Sequence, residues 1–170
     1  MLKYMSDEEL RPIVVGVDDT PASAAALRWA VAEARRRSCS VDAISVWHMD
    51  YGVVLTSQAM AAEFDIEPAR VESARRAVLE AATEGVTDVE LRRLLIEGDP
   101  KKLLVEMSRD AQLLVVGNRG RAAITELVLG SVSSYCVHHA TCPVVVVKAA
   151  EEVQHLEEQS ILPLTPGPLL

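Results

Sequence analysis

The segment Leu113-Leu114-Val115-Val116-Gly117-Asn118-Arg119-Gly120-Arg121 runs on through Ala122-Ala123-Ile124-Thr125-Glu126-Leu127-Val128-Leu129 to Gly130-Ser131-Val132-Ser133. Its opening run is apolar, β-branched and of strand length. Such a run, without polar alternation, belongs to a strand covered on both faces. The glycines follow the spacing G-x2-G-x9-G-S and lead into a helix expected from about Ser131 to Ala140. Gly117 and Gly120 let a backbone approach a ligand closely. Gly130 stands just before the helix, where the free amides of residues 130–133 and the positive dipole end form an anion site. The hydroxyls of Ser131 and Ser133 add donors, and Arg119 and Arg121 are candidates for phosphate oxygens. An ordinary strand–loop–helix with glycines at its turns is the alternative. The nine residues between Gly120 and Gly130 are many for a mere turn.

The loop lacks the G-x4-G-K-[ST] spacing and any lysine, and G-x-G-x-x-G is absent too. Phosphates would therefore be held without the lysine that P-loop enzymes use, which argues against fast phosphoryl transfer.

Outward from this segment the chain alternates strand with helix. Ile13 to Val17 reads as strand one. Thr20-Pro21 then supplies a cap and a first helical proline. Leu27, Ala30, Val31 and Ala34 form one stripe of a helix over 21–37, closed by Arg35-Arg36-Arg37. The bland reading of those arginines is a solvated helix end; a docking patch is the other. Val41 to Trp47 is strand two. Residues 56–84 read as a helix broken near Pro68, and Val89 to Ile96 as strand three. Asp99-Pro100 caps a helix over 100–110, and Cys142-Pro143 precedes strand five, Val144 to Val147. Apolar strands separated by helices indicate an α/β fold: a parallel sheet with helices on both faces. Ligands of such sheets lie beyond the carboxyl ends of the strands. That places Asp18 and Asp19, Trp47 and His48, Gly98 and Asp99, and the stretch from Gly117 among the candidates.

With 170 residues, 49% hydrophobic and 25% charged, the chain is sized for one globular domain. No apolar run approaches the ~20 residues of a spanning helix, so no membrane role is expected. Aromatics are 4% and the net charge is -8, which disfavours nucleic acid. Residues 151–170 contribute -4 of that charge and residues 1–10 contribute -2. The expected division is an N-terminal extension over 1–10, a domain over 11–150, and an acidic, proline-containing tail over 151–170 expected to be mobile. Cys39, Cys136 and Cys142 are an odd set without paired spacing. The start of the chain shows no apolar leader, so a cytoplasmic protein is expected.

These features together resemble the universal stress protein family. The resemblance rests on Val15-Gly16-Val17-Asp18-Asp19-Thr20-Pro21-Ala22-Ser23, on Gly98-Asp99-Pro100, on the glycine segment, and on Cys142-Pro143 with its valine strand. It spans about residues 11–148. It implies a Rossmann-like sheet of order 3-2-1-4-5 and a homodimer joined through strand five, 143–148. Members with the full glycine motif typically bind ATP, so ATP with Mg2+ is the implied cofactor. By position, Asp18 lies near the ribose or the metal. The end of strand two, Ser45 to Trp47 with Val46 at its centre, lines the adenine pocket through its backbone. Gly98, Gly117, Arg119, Gly120, Gly130, Ser131, Val132 and Ser133 complete the nucleotide set. The function implied is regulatory: a nucleotide-dependent dimer read by a protein partner in stress response, with at most slow hydrolysis. The family loop often reads G-R-G-G-F-x-G-L, whereas Ala122 to Leu127 stands here, with an acidic Glu126. A dimeric interaction protein with a vestigial pocket and a cyclic-nucleotide binder are the alternatives.

Other constellations carry less. Asp18-Asp19 with Asp99 and Lys148 can be cast as a phospho-receiver, but Asp99 before Pro100 reads as a helix cap. Cys136, His138, His139 and Cys142 lack C-x2-C spacing, and adjacent histidines on a helix diverge by about 100°, so a buried cysteine with surface histidines is expected rather than zinc. His48 reads as a loop histidine. No G-x-S-x-G or H-E-x-x-H motif occurs.

Overall fold

Thr20 starts the first helix in the expected way: its hydroxyl accepts the Ser23 N–H at 3.1 Å, and Pro21 takes the first helical position. A computed structural model describes residues 11–47, 68–118 and 129–149. His48, Arg119, Gly120, Arg121, the 122–128 replacement, the two end segments and the first part of the helix expected over 56–84 lie outside the described residues. The elements are β1 (Ile13–Gly16), α1 (Pro21–Arg37), β2 (Val41–Trp47), α2 (Pro68–Ala82), β3 (Leu91–Glu97), α3 (Pro100–Met107), β4 (Leu113–Gly117), α4 (Ser131–His139) and β5 (Val144–Val147).

The five strands form one sheet of order β3-β2-β1-β4-β5, and every neighbouring pair is parallel. The alternation of the strands divides the core. Ile13, Val15 and Val17 face one layer with Leu27, Ala30, Val31 and Ala34 of α1 and Leu79 of α2. Val14, Ile44, Leu114 and Val116 face the other, with Leu104 of α3 and Cys136 of α4. Successive side chains point to opposite faces, so one apolar run feeds both layers. The helical stripe named from sequence is buried throughout.

Several boundaries differ from the sequence reading: β1 ends at Gly16 rather than Val17, α2 at Ala82 rather than Glu84, β3 at Glu97 rather than Ile96 and α4 at His139 rather than Ala140, and two more have a local cause. β3 begins at Leu91 rather than Val89, where Glu90 joins β2 only through its carbonyl, accepting the Val41 N–H at 2.8 Å. α3 ends at Met107, because the Ser108 hydroxyl turns back to the Val105 carbonyl at 2.9 Å. The arginines closing α1 are exposed and paired: Arg35 with Asp88, Arg36 and Arg37 with Glu33. Those bonds hold the Glu33 and Asp88 carboxyls below their usual range.

The two sheet edges are unlike. β3 carries Arg92, Arg93 and Glu97, charges that discourage a further strand. β5 is Val144-Val145-Val146-Val147. Arg92 also serves the interior. It lies opposite Asp42 in the β2–β3 register and donates from Nε and Nη2, both at 2.6 Å, to a carboxylate that is 4% exposed. Asp42 in turn raises the Arg92 pKa above its ordinary value. Replacing Arg92 by Ala leaves a buried carboxylate unpaired; half-exposure of the arginine lowers the cost from the full buried-pair value to about 2 kcal/mol. Urea unfolding of Arg92→Ala is expected to show that loss.

Candidate functional site

The strand order reverses between β1 and β4, since α1 and α2 pack on one face and α3 and α4 on the other. Crevices at such reversals are where open α/β sheets take ligands. The residues leaving the carboxyl ends of β1, β2 and β4 meet there.

Asp18 follows β1 and is held by its neighbours. Its Oδ1 accepts the Thr20 N–H at 2.9 Å and the Thr20 hydroxyl at 2.6 Å. Its own N–H donates to Ser23 Oγ at 2.8 Å. The Ser23 hydroxyl reaches on to the Gly16 carbonyl at 3.4 Å. Both bonds to the carboxylate fall on Oδ1, so Oδ2 takes none among the described residues. Thr20 and Ser23 are positioning residues that the sequence reading did not assign. Their signal is the spacing: an Asp two residues before the N-cap and a Ser three after it. Arg75 of α2 approaches the same turn, 3.9 Å from Asp19.

The end of β2 presents backbone. The last β1–β2 bond runs from the Val17 N–H to the Ile44 carbonyl at 2.8 Å. On the other side, the Trp47 carbonyl accepts the Gly98 N–H at 2.8 Å. Alternation between them points the Val46 N–H and C=O toward β1, past that last bond. One donor and one acceptor thus stand at the crevice wall. Below them Ser45 Oγ is buried without a partner among the described residues.

Gly98 has φ +146° and leads into Asp99, whose Oδ1 accepts the Lys101 N–H at 3.0 Å. The glycine is demanded by that backbone. Asp99 is the cap of α3, as expected.

Gly117 has a different reason from the one expected. A Cβ there would sit 2.9 Å from the Ala22 carbonyl carbon and 3.0 Å from the Ser23 nitrogen. The space is filled by the first turn of α1. Asn118 follows, 5% exposed. Its N–H donates to the Val147 carbonyl at 2.7 Å, and its carbonyl accepts the Gly130 N–H at 2.8 Å. The two ends of the glycine segment are therefore joined. Gly130 is the N-cap of α4 and offers no side-chain cap to the amides of Ser131, Val132 and Ser133. Those amides lie at the positive end of the α4 dipole. Ser131 is exposed, whereas Ser133 is 2% exposed and its hydroxyl turns inward to the Asn118 and Gly130 carbonyls.

The cysteine–histidine cluster disperses. Cys136 is fully buried, and burial, followed by the charge of Cys142, pushes its thiol up to about 11. His138 and His139 are exposed on α4, and His139 stacks on Tyr135 at 3.9 Å. Among the described residues no three His, Cys, Asp or Glu side chains converge on a metal position. None of the described helices is long and apolar enough to cross a membrane.

The universal stress protein family model matches residues 9–148. The chain belongs to the universal stress protein family. A universal stress protein of Mycolicibacterium smegmatis is 37% identical over 137 residues, 81% of this chain and 45% of that protein. One from Mycobacterium tuberculosis is 34% identical over 142 residues, 84% of this chain and 47% of that protein. The chain thus spans about half the length of these relatives. Among solved structures, the family member UspA from Lactobacillus plantarum is 27% identical with a TM-score of 0.58, covering 81% of this chain and 97% of its own. Two further members share the fold. A universal stress protein in complex with cAMP is 22% identical, TM-score 0.54, with coverage of 83% and 98%. The Archaeoglobus fulgidus protein in complex with dAMP is 24% identical, TM-score 0.50, with coverage of 81% and 98%.

Within this family fold, the Gly117 contact gives a direct test. Gly117→Ala forces a backbone shift at the start of α1 and is expected to cost about 1–3 kcal/mol in chemical denaturation. Gly16→Ala meets side chains alone, the flexible end of Leu104 at 3.1 Å and Val116 at 3.8 Å, and is expected to cost less.

Proposed function

We propose that this protein is a regulatory ATP-binding member of its family, taking ATP with Mg2+ in the crevice between β1 and β4. The observation that carries this is the start of α4: a glycine N-cap, amides without a side-chain cap, and a carbonyl of Asn118 holding them at the end of β4. Phosphates fit there, with Ser131, Val132 and Ser133 donating from the backbone. The Val46 N–H and C=O match the donor–acceptor edge of an adenine. Asp18, whose Oδ2 takes no bond among the described residues, suits a ribose hydroxyl or a nucleotide-bound Mg2+. Gly98, Gly117, Arg119 and Gly120 complete the proposed set. Mg2+ would supply charge neutralisation of the phosphates. The carboxylate fixed beside the proposed site among the described residues is Asp18, and it is assigned to the ribose or the metal, so the role is read as binding and signalling rather than turnover. The cAMP and dAMP held by two fold relatives support an adenine nucleotide. The domain is taken as 11–150 and the setting as the cytoplasm.

Calorimetric titration with ATP and Mg2+ is expected to show one site per chain. Gly130→Val is expected to abolish it. The glycine has φ -61°, open to any residue, so the variant tests space for the ligand rather than strain. Absence of heat at millimolar ATP would overturn the ATP reading and favour cAMP or a vestigial pocket.

The uncharged β5 edge is proposed as the seat of a homodimer, from which a regulatory partner reads the ligand state. The β4 side of β5 is occupied through the Pro143 and Val147 carbonyls. Alternation leaves the Val144 and Val146 backbone groups pointing outward. Val146→Pro removes one outward N–H without touching the β4 ladder. Sedimentation is expected to show a dimer for the wild type and a folded monomer for this variant; an unchanged dimer places the interface elsewhere.

A further inference from the structure

We infer that Ser133 is a positioning residue for the phosphate-binding amides and that its hydroxyl does not touch the nucleotide. This rests on the nucleotide reading above and adds a division of labour within its site. Three bonds carry it. Ser133 Oγ donates toward the Asn118 carbonyl at 3.1 Å and the Gly130 carbonyl at 3.0 Å, and the Gly130 N–H donates to the same Asn118 carbonyl at 2.8 Å. At 2% exposure the hydroxyl is withdrawn from any ligand in the crevice.

The polarity of this arrangement matters. A side chain at the third helical position ordinarily reaches back to the N-cap N–H as an acceptor, while the N-cap side chain takes up a first-turn amide. Here Ser133 acts as a donor and binds two carbonyls. The helix start is pinned to the end of β4, yet no amide of residues 131–133 is consumed in doing so. Gly130 cannot compete for those amides either, having no side chain. Asn118 completes the anchor by donating its N–H to Val147 of β5 at 2.7 Å. The donors are thus fixed in direction before a ligand arrives, the condition under which hydrogen bonds to an anion cost least in lost freedom.

The test compares Ser133→Ala, Ser133→Thr and Ser131→Ala in the full chain. Ser133→Ala keeps the Gly130 N–H bond to Asn118, so the fold is retained, and loss of one buried hydroxyl bond is expected to weaken ATP about tenfold. Adenosine, which has no phosphate, is expected to bind Ser133→Ala as it binds the wild type. Ser133→Thr keeps the hydroxyl and is expected to restore ATP affinity. Amide exchange at Gly130 and Ser134 is read in parallel: protection is expected to fall in Ser133→Ala and return in Ser133→Thr. Equal losses for ATP and adenosine would make Ser133 a general structural residue and overturn the inference. No ATP binding by the wild type overturns the nucleotide reading and, with it, the ligand half of the inference. The anchor is then judged by exchange alone, and unchanged Gly130 protection in Ser133→Ala overturns that half.

Discussion

The first turn of α1 lies so close to the end of β4 that only a glycine fits at position 117. A Cβ there would come within 3.0 Å of the Ala22 and Ser23 backbone. This approach sets the distance between β1's exit and β4's exit, and the crevice lies between them. The same turn of α1 carries Thr20 and Ser23, which hold Asp18. The next residue after Gly117 is Asn118, whose backbone anchors α4 and β5. The acidic residue on one wall and the amides on the other therefore take their places from a single helix–strand contact.

Beyond that contact the fold is divided by polarity. Among the described residues, three sets of groups at the carboxyl ends of the strands take no partner: the Val46 edge, the Ser45 hydroxyl and the first amides of α4. At the opposite ends the polar groups are paired. Asp42 is held by Arg92, Glu33 by two arginines and Arg35 by Asp88. Buried polar groups are normally satisfied, so these open ones are what the proposed nucleotide would have to meet. The edges follow a similar contrast, with charge on β3 and valine on β5.

Cys136 shows the same division at the level of one residue. Its spacing from His138, His139 and Cys142 reads as a buried cysteine with surface histidines rather than a metal cluster. Its complete burial and raised thiol pKa make it core filling at neutral pH. The histidines beside it on the helix lie outside. His138 stands about 200° round α4 from Cys136, and His139 is the last residue of the helix.

Local pattern was enough for the strands, the helices, the stripe of α1, the Asp99 cap and the glycine N-cap of α4, because each depends on residues within a turn or two of one another. The universal stress protein match on 9–148 agrees with that reading. The reasons behind individual site residues were a different matter. Gly117 was read as space for a ligand, and the space belongs to α1. Ser133 was read as a donor to phosphate, and its hydroxyl closes the base of the loop. Val46 was placed by resemblance, and its open backbone follows from where β1 stops pairing. In each instance the deciding partner lies on another element: Ala22 for Gly117, Asn118 for Ser133, Val17 for the edge beside Val46. A hydrogen bond or a steric contact across 15 to almost 100 residues of chain has no periodicity to announce it, so it becomes visible only when the chain has folded.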